Sequence, residues 1–181
     1  MKLLTYVAFG VVTGLLALCL AVPASAQDSK SSSLAKQLAA ALDAAKLDSV
    51  AATDPIASDA FAAALYYPGM ELFVVSGKYS APQLLTTRIS NKDYREVYLD
   101  LNGAATEKIF IEDSGADGLK AKRETNQPFD QVEIAGKRTM FDGEWKAQKL
   151  SEQDYMKTFT AADERYTQIL GALLAQLKKS S

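Results

Sequence analysis

Hydrophobic and polar positions divide the chain into an apolar leader, a short polar stretch and a long segment of mixed periodicity. Residues 3–22 are almost continuously apolar, interrupted by Thr5, Tyr6, Thr13 and two glycines. Lys2 precedes them, Pro23 ends them and Ala24-Ser25-Ala26 follows. A charged start, an apolar run and a small-x-small triplet make a Sec-type signal peptide, with cleavage expected between Ala26 and Gln27. A retained membrane anchor is the alternative, because a spanning helix needs about 20 apolar residues. Pro23 and the triplet favour removal. Lipoprotein processing at Cys19 needs a small residue before it, and Leu18 stands there. The expected organisation is a signal peptide over 1–26, a flexible polar tether over 27–33 (QDSKSSS) and one domain over 34–181.

Within that domain the period alternates between helical and extended. Leu34, Leu38 and Leu42 recur every four residues among alanines, so they share one face of a helix that Ser33 can cap. A short strand is expected over Leu47 to Thr53, ended by Asp54-Pro55. Two apolar runs, Ala60–Tyr67 and Met70–Ser76, flank Pro68-Gly69, which suits the centre of a type II turn and predicts an antiparallel hairpin with both faces partly covered. Ser80-Ala81-Pro82 predicts the start of a middle helix reaching about Ile89. Arg95 to Leu101 alternates strictly and predicts a half-exposed strand, and Lys108 to Glu112 the next. Asp113 to Gln127 is polar and reads as a long surface loop. A second hairpin is expected within Gln131 to Trp145, bending at Ala135-Gly136-Lys137.

The last helix is the longest. Ser151 and Asp154 form an acidic capping box, and Tyr155, Phe159, Ala162, Tyr166, Ile169, Leu173 and Leu177 make one stripe at helical spacing as far as Lys178. That stripe must be covered by the sheet or by a second copy of the chain, which would make a homodimer. Its breadth favours the sheet. The fold class expected is α+β. An antiparallel, split-barrel-like sheet of about six or seven strands joins an N-terminal helix, a middle helix and a long C-terminal amphipathic helix.

Composition narrows the chemistry. The 181 residues contain no histidine and one cysteine, which lies in the leader. Histidine-dependent nucleophilic catalysis, His-ligated metals and an internal disulfide are therefore excluded. Twenty basic and 22 acidic residues give a net charge of −2, without the concentrated basic surface that nucleic-acid binding requires. Export to the periplasm or beyond, with no membrane span after cleavage, suits a domain whose mature form is free of thiols.

Four constellations could carry chemistry. Asp113-Ser-Gly-Ala-Asp117-Gly118 with Glu124 imitates a calcium loop at positions 1, 5, 6 and 12. Position 3 is Gly115, and Lys120, Lys122 and Arg123 oppose a cation, so solvated acids in a glycine-rich turn are the expectation and no metal is assigned. Glu112 and Asp113, or Asp142 and Glu144, could act as paired acids only across a cleft, yet neighbours on a strand point to opposite faces. Most aromatics fall at core spacing, with Tyr79 and Trp145 at element ends where a ring can be exposed. Ser76, Lys78, Thr86, Thr87 and Arg88 bracket the join between the first hairpin and the middle helix, where hydroxyls and cations suit an anion. Ser76, Lys78, Tyr79 and Arg88 are accordingly the candidate ligand-binding set, and no catalytic residue is assigned.

The order of elements, with FAAALYYPGMELFVVSGKY as a hairpin, QLLTTRI as a helix and REVYLDL as a strand, resembles the split β-barrel of pyridoxamine-phosphate-oxidase-like flavin-binding proteins. The stretches YYPGMELFVVSGKY, VYLDLNGA and KIFIEDSGADGL also resemble stretches of uncharacterised exported bacterial proteins. The first resemblance implies flavin mononucleotide as a cofactor, with Ser76, Lys78 and Arg88 nearest its phosphate and the cofactor supplying the redox chemistry. The export signal points elsewhere, because flavin split barrels are mostly cytosolic. The reading from the residues is a non-catalytic exported domain that binds a small ligand or a protein partner and holds no cofactor. A flavin carrier or flavin-dependent oxidoreductase is the alternative.

Overall fold

The computed structural model describes residues 29–77, 81–82, 101–102 and 109–180. In chain order the elements are α1 (Ser32–Ala45), β1 (Ser49–Thr53), β2 (Phe61–Tyr67), β3 (Glu71–Gly77), β4 (Ala81–Pro82), β5 (Leu101–Asn102), β6 (Ile109–Ser114), β7 (Asp130–Ile134), β8 (Lys137–Phe141) and α2 (Glu152–Ser180). Six strands form one antiparallel sheet in the order β1-β2-β3-β6-β7-β8, while β4 and β5 pair separately. The α+β class is as the sequence predicts.

Local chemistry sets the hairpins. Tyr67-Pro68-Gly69-Met70 closes the β2–β3 turn through Met70 N–H donating to Tyr67 C=O, with Gly69 at φ +72° where a type II turn needs a left-handed residue. The β7–β8 turn uses Ala135 and Gly136, both at positive φ, as a two-residue hairpin of right-twisted strands requires.

Alternation then sorts the side chains. Val50, Ala62, Ala64, Tyr66, Leu72, Val74, Ile111, Val132 and Phe141 join Leu38 and Leu42 of α1 and Tyr155, Ala162, Tyr166, Ile169 and Leu173 of α2 in one core. Ala63, Leu65, Phe73 and Val75, at the intervening positions of β2 and β3, are also buried. These two strands are therefore apolar on both faces, which explains their unbroken hydrophobic runs. Helix α2, about 43 Å long at 1.5 Å per residue, crosses the sheet and touches β8, β2 and β1. Its stripe lies on the sheet and on α1.

Several expectations are corrected. The sheet is open and not closed into a barrel. Its edges β1 and β8 do not pair, and α2 lies across one face as a strut between them. Ala81-Pro82 is extended rather than helical, in keeping with the steric bias of a residue before proline against the α region. The rest of the expected middle helix and the strand over residues 95–100 lie outside the described residues, as does the leader. Helix α1 begins one residue before Ser33, whose hydroxyl accepts from Gln37 Nε2 at 3.0 Å instead of capping. The end of the 27–33 stretch is anchored: Ser31 and Ser32 are buried. The expected surface loop after Asp113 holds only for its second half: residues 122–126 are exposed, whereas Asp113 and Ser114 extend β6 and Ala116 and Leu119 are buried. Among the described residues no helix is long and apolar enough to cross a membrane.

The two sides of α2 differ in consequence. Leu173→Ala, at a fully buried position, should lower stability by about 2–5 kcal/mol. Met156→Ala, at a position 42% exposed, should leave it nearly unchanged. Urea denaturation midpoints of the two variants check the contrast.

Candidate functional site

Two buried polar clusters interrupt the core between the sheet and α2. The first gathers Asp54 from the bend after β1, Ser76 from β3 and Arg165 from α2. Asp54 Oδ1 accepts from the backbone amides of Ile56 at 2.8 Å and Ala57 at 3.1 Å, an Asx turn that explains why the chain bends at Asp54-Pro55. Its Oδ2 accepts from the Ser76 hydroxyl and from Arg165 Nη2. Arg165 Nη2 also lies 3.4 Å from Ser76 Oγ, and its Nη1 is buried with no hydrogen-bond partner among the described residues. Burial opposes the charge on Asp54. The donors from Ser76, Ile56, Arg165 and Ala57 outweigh it and hold the carboxyl below the ordinary range.

The second cluster lies where β6 and β7 run side by side. Asp113 accepts from the amides of Asp117 at 3.2 Å and Gly118 at 2.9 Å, and from the Tyr166 hydroxyl at 2.9 Å. Asp130 accepts from the amides of Ser114 at 2.8 Å and Lys120 at 2.6 Å. The two carboxylates thus hold the 114–120 turn, Asp113 at its middle and Asp130 at its two ends. Ser31 Oγ takes the Leu119 amide at 3.1 Å, and Asp163 of α2 accepts from the amides of Lys30 at 2.8 Å and Ser31 at 3.1 Å. That carboxylate satisfies donors at the start of α1, where helical amides lack partners. Gly118 is held so close to α1 that a Cβ there would sit 2.4 Å from Ser32 Cα, and its φ is +96°.

Burial raises both acids of this cluster. Asp113 is pushed up to about 6 by desolvation, against the pull of its three donors. Asp130 is pushed up to about 8 by desolvation and by the negative charge of Asp113. The Tyr166 hydroxyl is raised well above its ordinary value by burial and by Asp113, which keeps it a donor.

The sequence-derived candidates fare unevenly. Ser76 is buried and faces Asp54 and Arg165. Lys78, Tyr79 and Arg88 lie outside the described residues. Of the calcium-like set, Asp113 and Asp117 share a turn in which Asp113 accepts the Asp117 amide, while Glu124 is exposed. Among the described residues no three acidic groups converge to hold a metal ion. Glu112 points to the other face from Asp113 and bonds Gln131. Trp145 is half-buried, its ring 6.0 Å from that of Tyr155.

Asp54, Asp130, Asp163, Arg165 and Tyr166 were not singled out by sequence reasoning. A faint signal exists for three of them. Asp163 and Arg165 sit between the stripe residues Ala162 and Tyr166, where a charge borders the buried face, and Tyr166 is a polar-tipped ring within the stripe. Compared with protein-family models, with curated proteins and with solved structures, the chain matches none.

Two outcomes follow from these clusters. Arg165→Ala leaves the Asp54 charge buried without its ion pair and should cost about 3–5 kcal/mol, read from the urea midpoint. For the second cluster, acids raised in the folded state bind protons that the unfolded chain releases. Their stabilising contribution is therefore full below about pH 4 and is lost as pH rises through about 6 and then about 8. Thermal melts should show the midpoint falling across that range. Asp130→Asn, which mimics the protonated acid, should flatten the upper part of the fall.

Proposed function

We propose that the chain is an exported, non-catalytic domain that binds a small ligand or a protein partner. One observation carries the reading: the polar groups best suited to chemistry are spent inside the fold. The Ser76 hydroxyl donates to Asp54, and Asp113 and Asp130 are occupied by backbone amides that hold a turn. A general acid or base has to reach the proton it transfers, and these carboxylates instead solvate the chain's own backbone. The leader over residues 1–26, with its A-x-A triplet, supports export.

Lys78, Tyr79 and Arg88 follow β3 in sequence and remain the ligand-binding candidates. Positive charge and an aromatic side chain in this stretch of the sequence suit a small anionic ligand. Ser76 is less suited to that set, because its hydroxyl is already committed.

Protein expressed from the full sequence and recovered from the exported fraction tests both parts. Its intact mass should begin at Gln27, and its absorbance spectrum should lack a visible band. Titration with flavin mononucleotide should give no saturable fluorescence quenching. A mass retaining Met1 to Ala26 would refute the export reading. A bound yellow chromophore, or micromolar quenching weakened by Lys78→Ala and Arg88→Ala, would replace the proposal with a flavin-binding one.

A further inference from the structure

The two edges of the six-stranded sheet are treated differently. On β8 the outward backbone groups of Met140 are taken by one side chain: its N–H donates to Gln148 Oε1 at 3.0 Å and its C=O accepts from Gln148 Nε2 at 2.7 Å. Lys137 and Arg138 add charge to the same strand. A capped and charged edge resists pairing with another strand. β1 has none of these devices. Its sequence, Ser-Val-Ala-Ala-Thr, holds no charge, no proline and no glycine.

The register of β1 fixes which of its groups point outward. Asp48 C=O accepts from Tyr66 N–H at 2.8 Å and Asp54 N–H donates to Ala60 C=O at 2.9 Å, so the even-numbered residues bond towards β2. In an antiparallel ladder the alternate residues then turn their N–H and C=O groups away. Ser49, Ala51 and Thr53 present these groups at the open edge, and no bond from another described residue reaches them.

We propose that this edge pairs antiparallel with the same edge of a second copy of the chain. A two-fold axis through Ala51 is the register that uses every outward group. Ala51 faces the partner's Ala51, while Ser49 faces the partner's Thr53 and Thr53 the partner's Ser49, each pair exchanging two hydrogen bonds. An isologous contact of this kind closes on itself. Because β8 is capped, the sheet grows at one edge only and assembly stops at the dimer.

A five-residue seam alone falls short of the roughly 1,200–2,000 Å² that a stable interface buries. Apolar groups lie at both ends of β1 to extend it: Leu47 is 46% exposed before the strand and Ile56 63% exposed after it. Extended by the same axis, position 47 falls opposite the partner's position 55, next to Ile56. The interface is thus a small polar seam with two apolar flanks, and its strength belongs in the micromolar range. The inference goes beyond the ligand-binding reading above and stands or falls independently of it.

Sedimentation of the purified full-sequence protein over about 1–300 µM, a span bracketing that affinity, tests it. A monomer–dimer equilibrium is expected. Ala51→Pro removes an outward N–H without touching the bonds to β2 and should weaken the dimer at least tenfold. Ala51→Cys, in a Cys19→Ser background, places two thiols at the axis with Cα atoms about 5.5 Å apart, within disulfide reach. It should crosslink on mild oxidation, and Thr53→Cys, displaced from the axis, should not. The cysteine pair decides the matter even if the proline variant fails to fold. A monomer throughout the range, or equal crosslinking at positions 51 and 53, would overturn the proposal and leave the edge to the chain's own residues or to a different partner.

Discussion

The fold depends on how α2 is held against the sheet. An amphipathic helix of 29 residues on a flat face could slide or rotate, because apolar contacts are non-directional. The polar anchors remove that freedom. Arg165 reaches the Asp54 carboxylate on one side of the core and Tyr166 reaches Asp113 on the other, from neighbouring positions on the helix. Tyr155 adds a third anchor nearer the N-terminus, accepting from Gly143 N–H at 3.0 Å and donating to Ala121 C=O at 2.8 Å. Directional bonds set the position of the helix, and the apolar stripe supplies the bulk of its attachment.

The same anchors account for the placement of the acids. Each buried carboxylate answers backbone donors that no regular element could satisfy: the bend after β1, the turn after β6 and the start of α1. Burying a charge is costly unless it is hydrogen-bonded in this way. Burial raises both Asp113 and Asp130, and the negative charge of Asp113 pushes Asp130 further.

Much of the architecture was legible from period alone. The β2–β3 hairpin, β1, β6, the β7–β8 hairpin and both described helices fall where alternation and helical spacing put them, because those patterns follow directly from which face is buried. The polar interior was not legible. Asp113 read as a solvated loop residue because its burial depends on Tyr166, 53 positions away, and on amides of a turn whose shape the composition does not specify. Arg165 drew no attention for the same reason: its partner Asp54 lies 111 positions earlier. Openness of the sheet was hidden as well, since closure is decided by whether the first and last strands meet and not by any strand's own sequence.

The bonds from Asp163 to Lys30 and Ser31 span 133 and 132 positions and join the first described residues to the last helix. The β2–β3 and β7–β8 hairpins can zip through short turns, but this latch joins distant parts of the chain. Non-local closure of that kind is slow because the loop entropy must be met before the contact forms. Without the α2 segment that carries Asp163, the start of α1 lacks its amide acceptor and one of its apolar partners. A truncation of α2 that removes Asp163 therefore also undoes the start of α1, more than 130 positions away.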